Sequence, residues 1–301
     1  MTIPHPNRTP IARLDKARKR YGAITALNGI DLELRRGELL ALLGSNGAGK
    51  STALGLLTGR LSADAGEVSL FGADPREASA RRRIGVMLQE ARLPETLRVR
   101  ELVHLFASYY PAPRAVGETL ALAGLAELAQ RRYAALSGGQ QRRVQFALAI
   151  CGAPELVFVD EPTTGLDVEA RRGFWQVIQT LREAGTSIVL TTHYLEEAEA
   201  LAERVVLIER GRVLAEDTPS GLKSRAQGAR VRCVTRLTTA ELAALPGVQS
   251  VEPEGSRVSL RCSDSDALLR RLLSLDPALH GIEIRPLNLE DAFLALTGDA
   301  A

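Results

Sequence analysis

The chain has 301 residues, with 45% apolar and 25% charged side chains and a formal net charge of +2. That length admits two domains, the composition is that of an ordinary globular protein, and the near-neutral balance argues neither for nor against a nucleic-acid partner. No apolar run approaches the ~18–20 residues that span a bilayer, so any membrane role would need a separate partner.

Residues 1–10 are polar, contain three prolines and lack an apolar stretch, so they read as a disordered tail and not as a secretory signal. Residues 11–43 read as strands. Ile30, Leu32 and Leu34 alternate with Asp31, Glu33 and Arg35, and a turn at Arg36-Gly37 leads into the apolar run Leu39–Leu43. Next comes Gly44-Ser45-Asn46-Gly47-Ala48-Gly49-Lys50-Ser51-Thr52, which meets every fixed position of the phosphate-loop pattern G-x-x-x-x-G-K-[ST]. Its glycines let the backbone turn N–H groups inward around an anion. Lys50 adds a point charge for the terminal phosphates, and the Ser51 hydroxyl is a candidate Mg²⁺ ligand.

Further strands are expected at 66–72 and 84–88, the second ending at Gln89. Helices are expected over Val99–Tyr109 and Arg114–Gln130, forming a helical insertion. Leu136-Ser137-Gly138-Gly139-Gln140 opens another helix, to about Ala149. A buried strand over Leu156–Val159 runs into Asp160-Glu161, with a helix near 169–184 after it. Then come a strand over 187–191 reaching Thr192-His193, a helix over 195–203 and a strand over 205–209. Strands alternating with helices imply a mainly parallel sheet. The pattern resets near Ala229, with Gln227-Gly228 as the expected boundary. Strands over 230–235, 248–252, 257–262 and 282–286, with helices over 238–244, 264–274 and 288–297, suggest a ferredoxin-like βαββαβ unit. The three cysteines, Cys151, Cys233 and Cys262, are odd in number and lack C-x-x-C spacing, so they suggest neither a disulfide framework nor a zinc site.

Two acidic residues and one turn carry the chemistry. Asp160, at the carboxyl end of a parallel strand, is placed where ligands gather, and it is the natural Mg²⁺ partner. Glu161, next along, is a candidate general base or water-positioning group. Ser137-Gly138-Gly139 at a helix start is a second anion site, because free N–H groups and the helix dipole point outward there. One nucleotide can use only one such end of its own sheet. Ser137 and Gly139 are therefore expected to serve a nucleotide held by another subunit.

Gly44–Thr52, Gln89, Leu136–Gln140, Leu156–Glu161, Gly165-Leu166-Asp167 and His193 stand in the order and spacing of an ATP-binding-cassette (ABC) transporter ATPase, and residues 11–220 resemble that family. The stretches Met87–Leu97 and Leu289–Gly298 resemble ABC-2-type export ATPases, such as daunorubicin-resistance and sodium-export subunits. The resemblance implies a P-loop NTPase ABC cassette over 11–225, with a mixed α/β sheet core, an antiparallel β subdomain and a helical subdomain at about 97–150. A small C-terminal α+β domain over 229–301 follows. It implies an ATPase motor that dimerises head to tail as a homodimer around two MgATP, with ATP and Mg²⁺ as cofactors.

On the same grounds Tyr21 stacks on adenine, Gln89 senses metal and water, Asp167 communicates across the dimer and His193 meets the γ-phosphate. Lys50, Glu161, Gln89 and His193 form the expected catalytic set. Ser51, Gln89 and Asp160 are the expected metal set, and Gly44–Thr52, Ser137–Gln140, Tyr21 and Asp167 hold nucleotide. Implied partners are a second copy of the chain and a separate ABC-2 permease, which would place the protein peripherally on the cytoplasmic side of the membrane. Neither nucleic acid nor a membrane span of its own is implied. Residues 90–101 are expected to help meet the permease. Two other readings remain open. A soluble ABC ATPase acting on ribosomes or DNA is disfavoured by the single uninterrupted cassette. A non-hydrolysing regulatory module is disfavoured by the intact Lys50, Asp160, Glu161 and His193.

Overall fold

The computed structural model describes residues 10–225, 228–287 and 289–291. The tail expected over 1–10 and the helix expected over 288–297 lie almost wholly outside these residues, as does Gln227. Two compact units divide between Thr218 and Pro219.

The first unit starts with two long strands, β1 (Ala12–Tyr21) and β2 (Ile24–Leu34), which pair antiparallel and are joined on the other side of β1 by β4 (Ala65–Leu70). A second sheet has six strands. Its order is β5 (Ile84–Met87), β6 (Leu156–Asp160), β7 (Ser187–Thr192), β3 (Leu39–Leu43), β8 (Arg204–Glu209) and β9 (Arg212–Asp217). The first five are parallel and β9 returns antiparallel on β8, so the sheet is mixed. Every residue of β3 and β6 is buried, which accounts for their unbroken apolar runs. The two faces of this sheet enter different cores. Leu40, Leu42, Phe158 and Val189 pack with β1, β2 and helix α1 (Lys50–Leu57). Leu39, Val157, Val159 and Leu190 pack instead beneath helix α6 (Val168–Glu183) through its Phe174, Ile178 and Leu181, spaced on one helical face.

A third core belongs to the helical segment. Val99, Leu102 and Val103 of helix α3 (Val99–Ala107) pack with Leu120 of helix α4 (Val116–Leu122) and with Val144, Ala147 and Leu148 of helix α5 (Gly138–Ile150). One expectation is corrected here. The helix expected over 114–130 stops after Leu122, because Gly124 turns left-handed at φ 64° and Leu125 N–H bonds back to the Leu120 carbonyl. A short 3₁₀ turn, Ala126–Leu128, follows. Four elements were not expected: helix α2 (Ala78–Arg81), a 3₁₀ turn over Tyr133–Ala135, strand β9 and helix α8 (Pro219–Arg225). Between α6 and β8 lies helix α7 (Leu195–Leu201).

The second unit holds strands β10 (Ala229–Val234), β11 (Val248–Glu254), β12 (Arg257–Cys262) and β13 (His280–Pro286), with helices α9 (Thr239–Ala243) and α10 (Ser265–Leu275). The sheet order β11-β12-β10-β13, antiparallel throughout, is that of a ferredoxin-like βαββαβ unit. Val231, Cys233, Leu260 and Cys262 face Leu242, Leu268 and Leu272 of its helices.

Candidate active site

The loop between β3 and α1 is shaped by close backbone approaches. A Cβ at Gly44 would stand 2.2 Å from the Ile208 carbonyl oxygen. One at Gly49, whose φ is 111°, would stand 2.6 Å from that of Ala26. Side chains are excluded at both positions, which leaves the loop backbone free to present its N–H groups. Ser45 Oγ donates to Glu209 Oε2 at 2.8 Å and so ties the loop to the end of β8. Ser45, Asn46 and Gly47 are exposed, whereas Ala48, Gly49 and Lys50 are buried. Lys50 Nζ donates to the carbonyls of Gly44 at 2.8 Å and Ser45 at 3.1 Å, which folds the side chain back over its own loop.

The acidic pair lies opposite. Asp160 closes β6 and Glu161 follows it, both buried. Ser51 Oγ donates to Asp160 Oδ1 at 3.3 Å, and Thr191 Oγ1 makes a short 2.5 Å bond to the same oxygen. Glu161 is the meeting point of the catalytic candidates. Its Oε1 is 3.7 Å from Lys50 Nζ, and its Oε2 accepts from Gln89 Nε2 at 3.2 Å and lies 3.4 Å from His193 Nδ1. The backbone of Glu161 is left-handed, at φ 45°, a conformation that persists only where its surroundings hold it. They do so here. Glu161 N–H donates to the Thr191 carbonyl at 3.1 Å and to Thr191 Oγ1 at 3.0 Å.

The fold therefore gathers Lys50, Ser51, Gln89, Asp160, Glu161 and His193 at the carboxyl ends of β3, β5, β6 and β7. It leaves the other candidates apart. Ser137 and Gln140 form a reciprocal capping box at the start of α5, where Ser137 Oγ accepts from Gln140 N–H at 3.3 Å. Among the described residues no hydrogen bond or ion pair joins Ser137, Gly138, Gly139 or Gln140 to Gly44–Thr52. Ser137 and Gly138 are exposed. Asp167 caps α6 through Ala170 N–H at 2.7 Å and is also exposed. Tyr21, 47% exposed, ends β1 with Lys19 Nζ 5.9 Å from its ring centre. A half-exposed ring is free to take a planar partner.

Sequence reasoning missed several participants. Thr191 reads from the sequence as a strand residue alone, although it lies two residues before His193. Glu197 of α7 is fully buried and accepts from Trp175 Nε1 at 3.1 Å, which gives that tryptophan a polar partner beyond packing. Burial pushes the Glu197 carboxyl above its ordinary range, against the hydrogen bond from Trp175.

The description "ABC transporter" belongs to the family model that matches residues 27–164. The Nod factor export ATP-binding protein I of Cupriavidus pinatubonensis is 38% identical over 310 aligned positions, covering 98% of this chain and 93% of that one. A daunorubicin resistance ATP-binding protein of Streptomyces coeruleorubidus is 37% identical over 310 positions, covering 95% and 94%. Among solved structures, the ATP-binding subunit of an ABC transporter superposes with a TM-score of 0.66 at 27% identity, covering 71% of this chain and 92% of that one. A dimeric ATP-binding cassette in a post-hydrolysis state, bound to ADP and Pi, superposes at 0.63 and 27%, covering 69% and 98%. With relatives this similar over nearly their whole length, and with an ABC cassette fold that carries the phosphate loop and paired carboxylates, the chain belongs to the ABC transporter ATP-binding proteins and is an ATPase of the ABC-2 export type.

Proposed function

We propose that this chain is the motor subunit of an ABC-2-type exporter: a homodimer, assembled head to tail around two ATP molecules, that drives a separate membrane permease. The observation that carries the reading is the ring of donors around Glu161. Lys50, Gln89 and His193 come from three different elements and converge on one buried carboxylate beside the phosphate loop. Phosphoryl transfer needs this combination, a cationic cradle and an oriented proton acceptor held in a water-poor setting.

Lys50 holds the terminal phosphates by charge, and the loop N–H groups take the remaining oxygens. Glu161 accepts the proton of the attacking water as its oxygen bonds to the γ-phosphorus and the bond to the β-phosphate oxygen breaks. His193 donates to a γ-phosphate oxygen, and Gln89 orients the water. A hydroxyl at Ser51, the Asp160 carboxylate 3.3 Å from it and the amide oxygen of Gln89 are hard oxygen donors that suit Mg²⁺. When bound, Mg²⁺ supplies neutralisation of phosphate charge. Tyr21 stacks on adenine.

Ser137 and Gly139 serve the nucleotide of the second copy. Support for this comes from the exposure of Ser137 and Gly138 and the separation of this turn from Gly44–Thr52, and the dimeric cassette among the structural neighbours has the same fold. No helix among the described residues is long and apolar enough to cross a membrane. The export role in the relatives' names supports a peripheral attachment at the cytoplasmic face through the permease. The cassette is taken to span 11–225 and the C-terminal domain 229–301.

The test is direct. The purified chain should release phosphate from ATP, and co-expression with a candidate ABC-2-type permease should bring the pair down together from detergent extracts. A chain that binds ATP yet releases no phosphate, alone or with that partner, would refute the motor reading.

A further inference from the structure

Arg142 lies on α5, five residues beyond Ser137, and none of the motifs accounts for it. Its guanidinium forks across two loops. Nη1 donates to the carbonyls of Leu88 at 3.1 Å and Gln89 at 2.7 Å, and to Gln145 Oε1 at 3.0 Å. Nη2 donates to the Glu161 carbonyl at 3.0 Å. All three backbone acceptors belong to the residues that frame the reaction: the loop carrying Gln89 and the left-handed peptide of Glu161.

Thr191 holds that peptide by its N–H, and Arg142 holds the same residue by its C=O. Together they fix both ends of a residue whose backbone conformation costs ~1–3 kcal/mol if unsupported. Burial lowers the Arg142 pKa, opposed by Asp160, Tyr133 and Glu161, yet a guanidinium stays charged throughout. Its rigid planar fork is what allows one side chain to satisfy acceptors on separate elements, which a lysine ammonium cannot do with the same geometry.

We propose that Arg142 is a positioning residue. It locks the Gln89 loop and the Glu161 main chain onto helix α5, so that the signature turn at that helix's start moves as one body with the chain's own hydrolytic groups. This rests on the motor reading above, in which Ser137 contacts the second copy's nucleotide. Over five residues the helix spans about 7.5 Å, so a displacement at Ser137 reaches Arg142 along a stiff rod. The nucleotide bound by one protomer thereby sets the geometry of the reacting groups in the other nucleotide's site. The link is mechanical and requires no new contact with ATP.

The experiment compares the full-length wild-type, Arg142→Ala and Arg142→Lys proteins. Phosphate release is followed against ATP concentration, and ATP affinity is measured separately by equilibrium binding. Arg142→Ala should lower kcat by ~10–100-fold, the scale of a misplaced catalytic group, with KM and ATP affinity within about twofold, since Arg142 touches carbonyls and not nucleotide. Arg142→Lys should fall between the two. Millimolar guanidinium should restore part of the Arg142→Ala rate, and methylammonium should not, because the fork is what is missing. A wild-type kcat in Arg142→Lys, or equal losses of kcat and ATP affinity in either variant, would overturn the proposal. Should Arg142→Ala fail to fold, Arg142→Lys decides. Amide exchange of Gln89 and Glu90 should quicken in the soluble variant, and unchanged exchange there would sink the inference whether or not the wild type hydrolyses ATP. A wild-type protein that releases no phosphate would defeat the motor reading alone.

Discussion

Replacing Glu161 by Gln separates chemistry from binding. The amide keeps the size of the side chain and can still accept from Gln89 Nε2, which the carboxylate does at 3.2 Å. It loses the capacity to take a proton and the charge that faces Lys50 at 3.7 Å. Loss of general-base catalysis should reduce kcat by ~10²–10⁴-fold, equivalent to about 2.7–5.5 kcal/mol of barrier at 1.36 kcal/mol per tenfold. The charge pair bears on the fold. At that separation, with an effective dielectric near 20, the gross attraction is ~4 kcal/mol. Lys50 keeps its two carbonyl acceptors in the variant, so the net cost should stay below the ~3–5 kcal/mol of a wholly orphaned buried charge, near ~2 kcal/mol. For a domain of this size that is a melting decrease of about 4–8 °C. Phosphate oxygens brought by ATP would replace the missing anion, so ATP should raise the melting temperature of the variant more than that of the wild type. Phosphate release, equilibrium ATP binding and thermal melting with and without ATP measure the three parts. Turnover within twofold of wild type would remove Glu161 from its role, and a variant that had lost ATP affinity would show that the carboxylate serves binding instead.

Three other perturbations test separate links. Ser137→Arg should abolish hydrolysis while ATP affinity of the isolated protomer stays unchanged, and in mixed dimers with wild type the failure should appear at the site whose phosphate loop belongs to the wild-type chain; failure confined to the variant's own loop would contradict the shared-site arrangement. Gly85→Ala would place a Cβ 1.8 Å from the Ala149 carbonyl oxygen, so β5 or α5 must shift, and a loss of ~3 kcal/mol or more is expected in denaturant titration. Gly173→Ala, on the open face of α6 with nothing within 4 Å, should instead gain ~0.5–1 kcal/mol, and equal responses at the two glycines would discredit the packing argument. Glu155 accepts from Arg83 and Arg36, each at 2.6 Å, and the Arg83 bond above all lowers its pKa from an ordinary 4.5 to about 2. A depressed carboxyl pKa stabilises the fold above pH 4.5, and that contribution fades as pH falls from 4.5 to about 2. With partly exposed partners it amounts to ~1 kcal/mol at most. Glu155→Gln should flatten the stability profile in that window, and an unchanged acid limb would show the pair to be inert.

The contrast between what the sequence disclosed and what it hid has a physical origin. Gly44–Thr52, Asp160-Glu161 and Ser137–Gln140 are legible because their chemistry is local. A backbone nest, a strand-end carboxylate and a helix cap are each specified by residues adjacent in the chain. The strands Leu39–Leu43 and Leu156–Asp160 announce themselves because both faces are buried. Strand β9 stayed hidden because its Arg212–Asp217 run is half exposed, with Ala215 alone fully buried, so it shows neither an apolar run nor clean alternation. The split of the expected helix at Gly124 was also missed, since a glycine inside an apolar-periodic stretch reads equally well as a tolerated interior residue or as a stop.

Arg142 marks a deeper limit. Its three main-chain acceptors are carbonyls, which every residue possesses, so no side-chain pattern at 88, 89 or 161 could have pointed to it. Sequence motifs register side chains that touch substrate, whereas the groups that hold those side chains in place often act on the backbone. Thr191 belongs with Arg142 in this respect, gripping the Glu161 peptide from the other end. Of the candidate hydrolytic groups, Gln89, Glu161 and His193 stand on loops, and loops keep a geometry only where such grips exist. The sharpest reading of this family member's control therefore lies one shell beyond its motifs. A pair of variants, Arg142→Ala and Thr191→Val, should each lower kcat, the second also stripping Asp160 of its hydroxyl partner, and their double variant should lose less than the product of the two single losses, because both support the main chain of one residue, Glu161. Fully multiplicative losses would mean that the two residues support independent features, and the argument that they share Glu161 would fail.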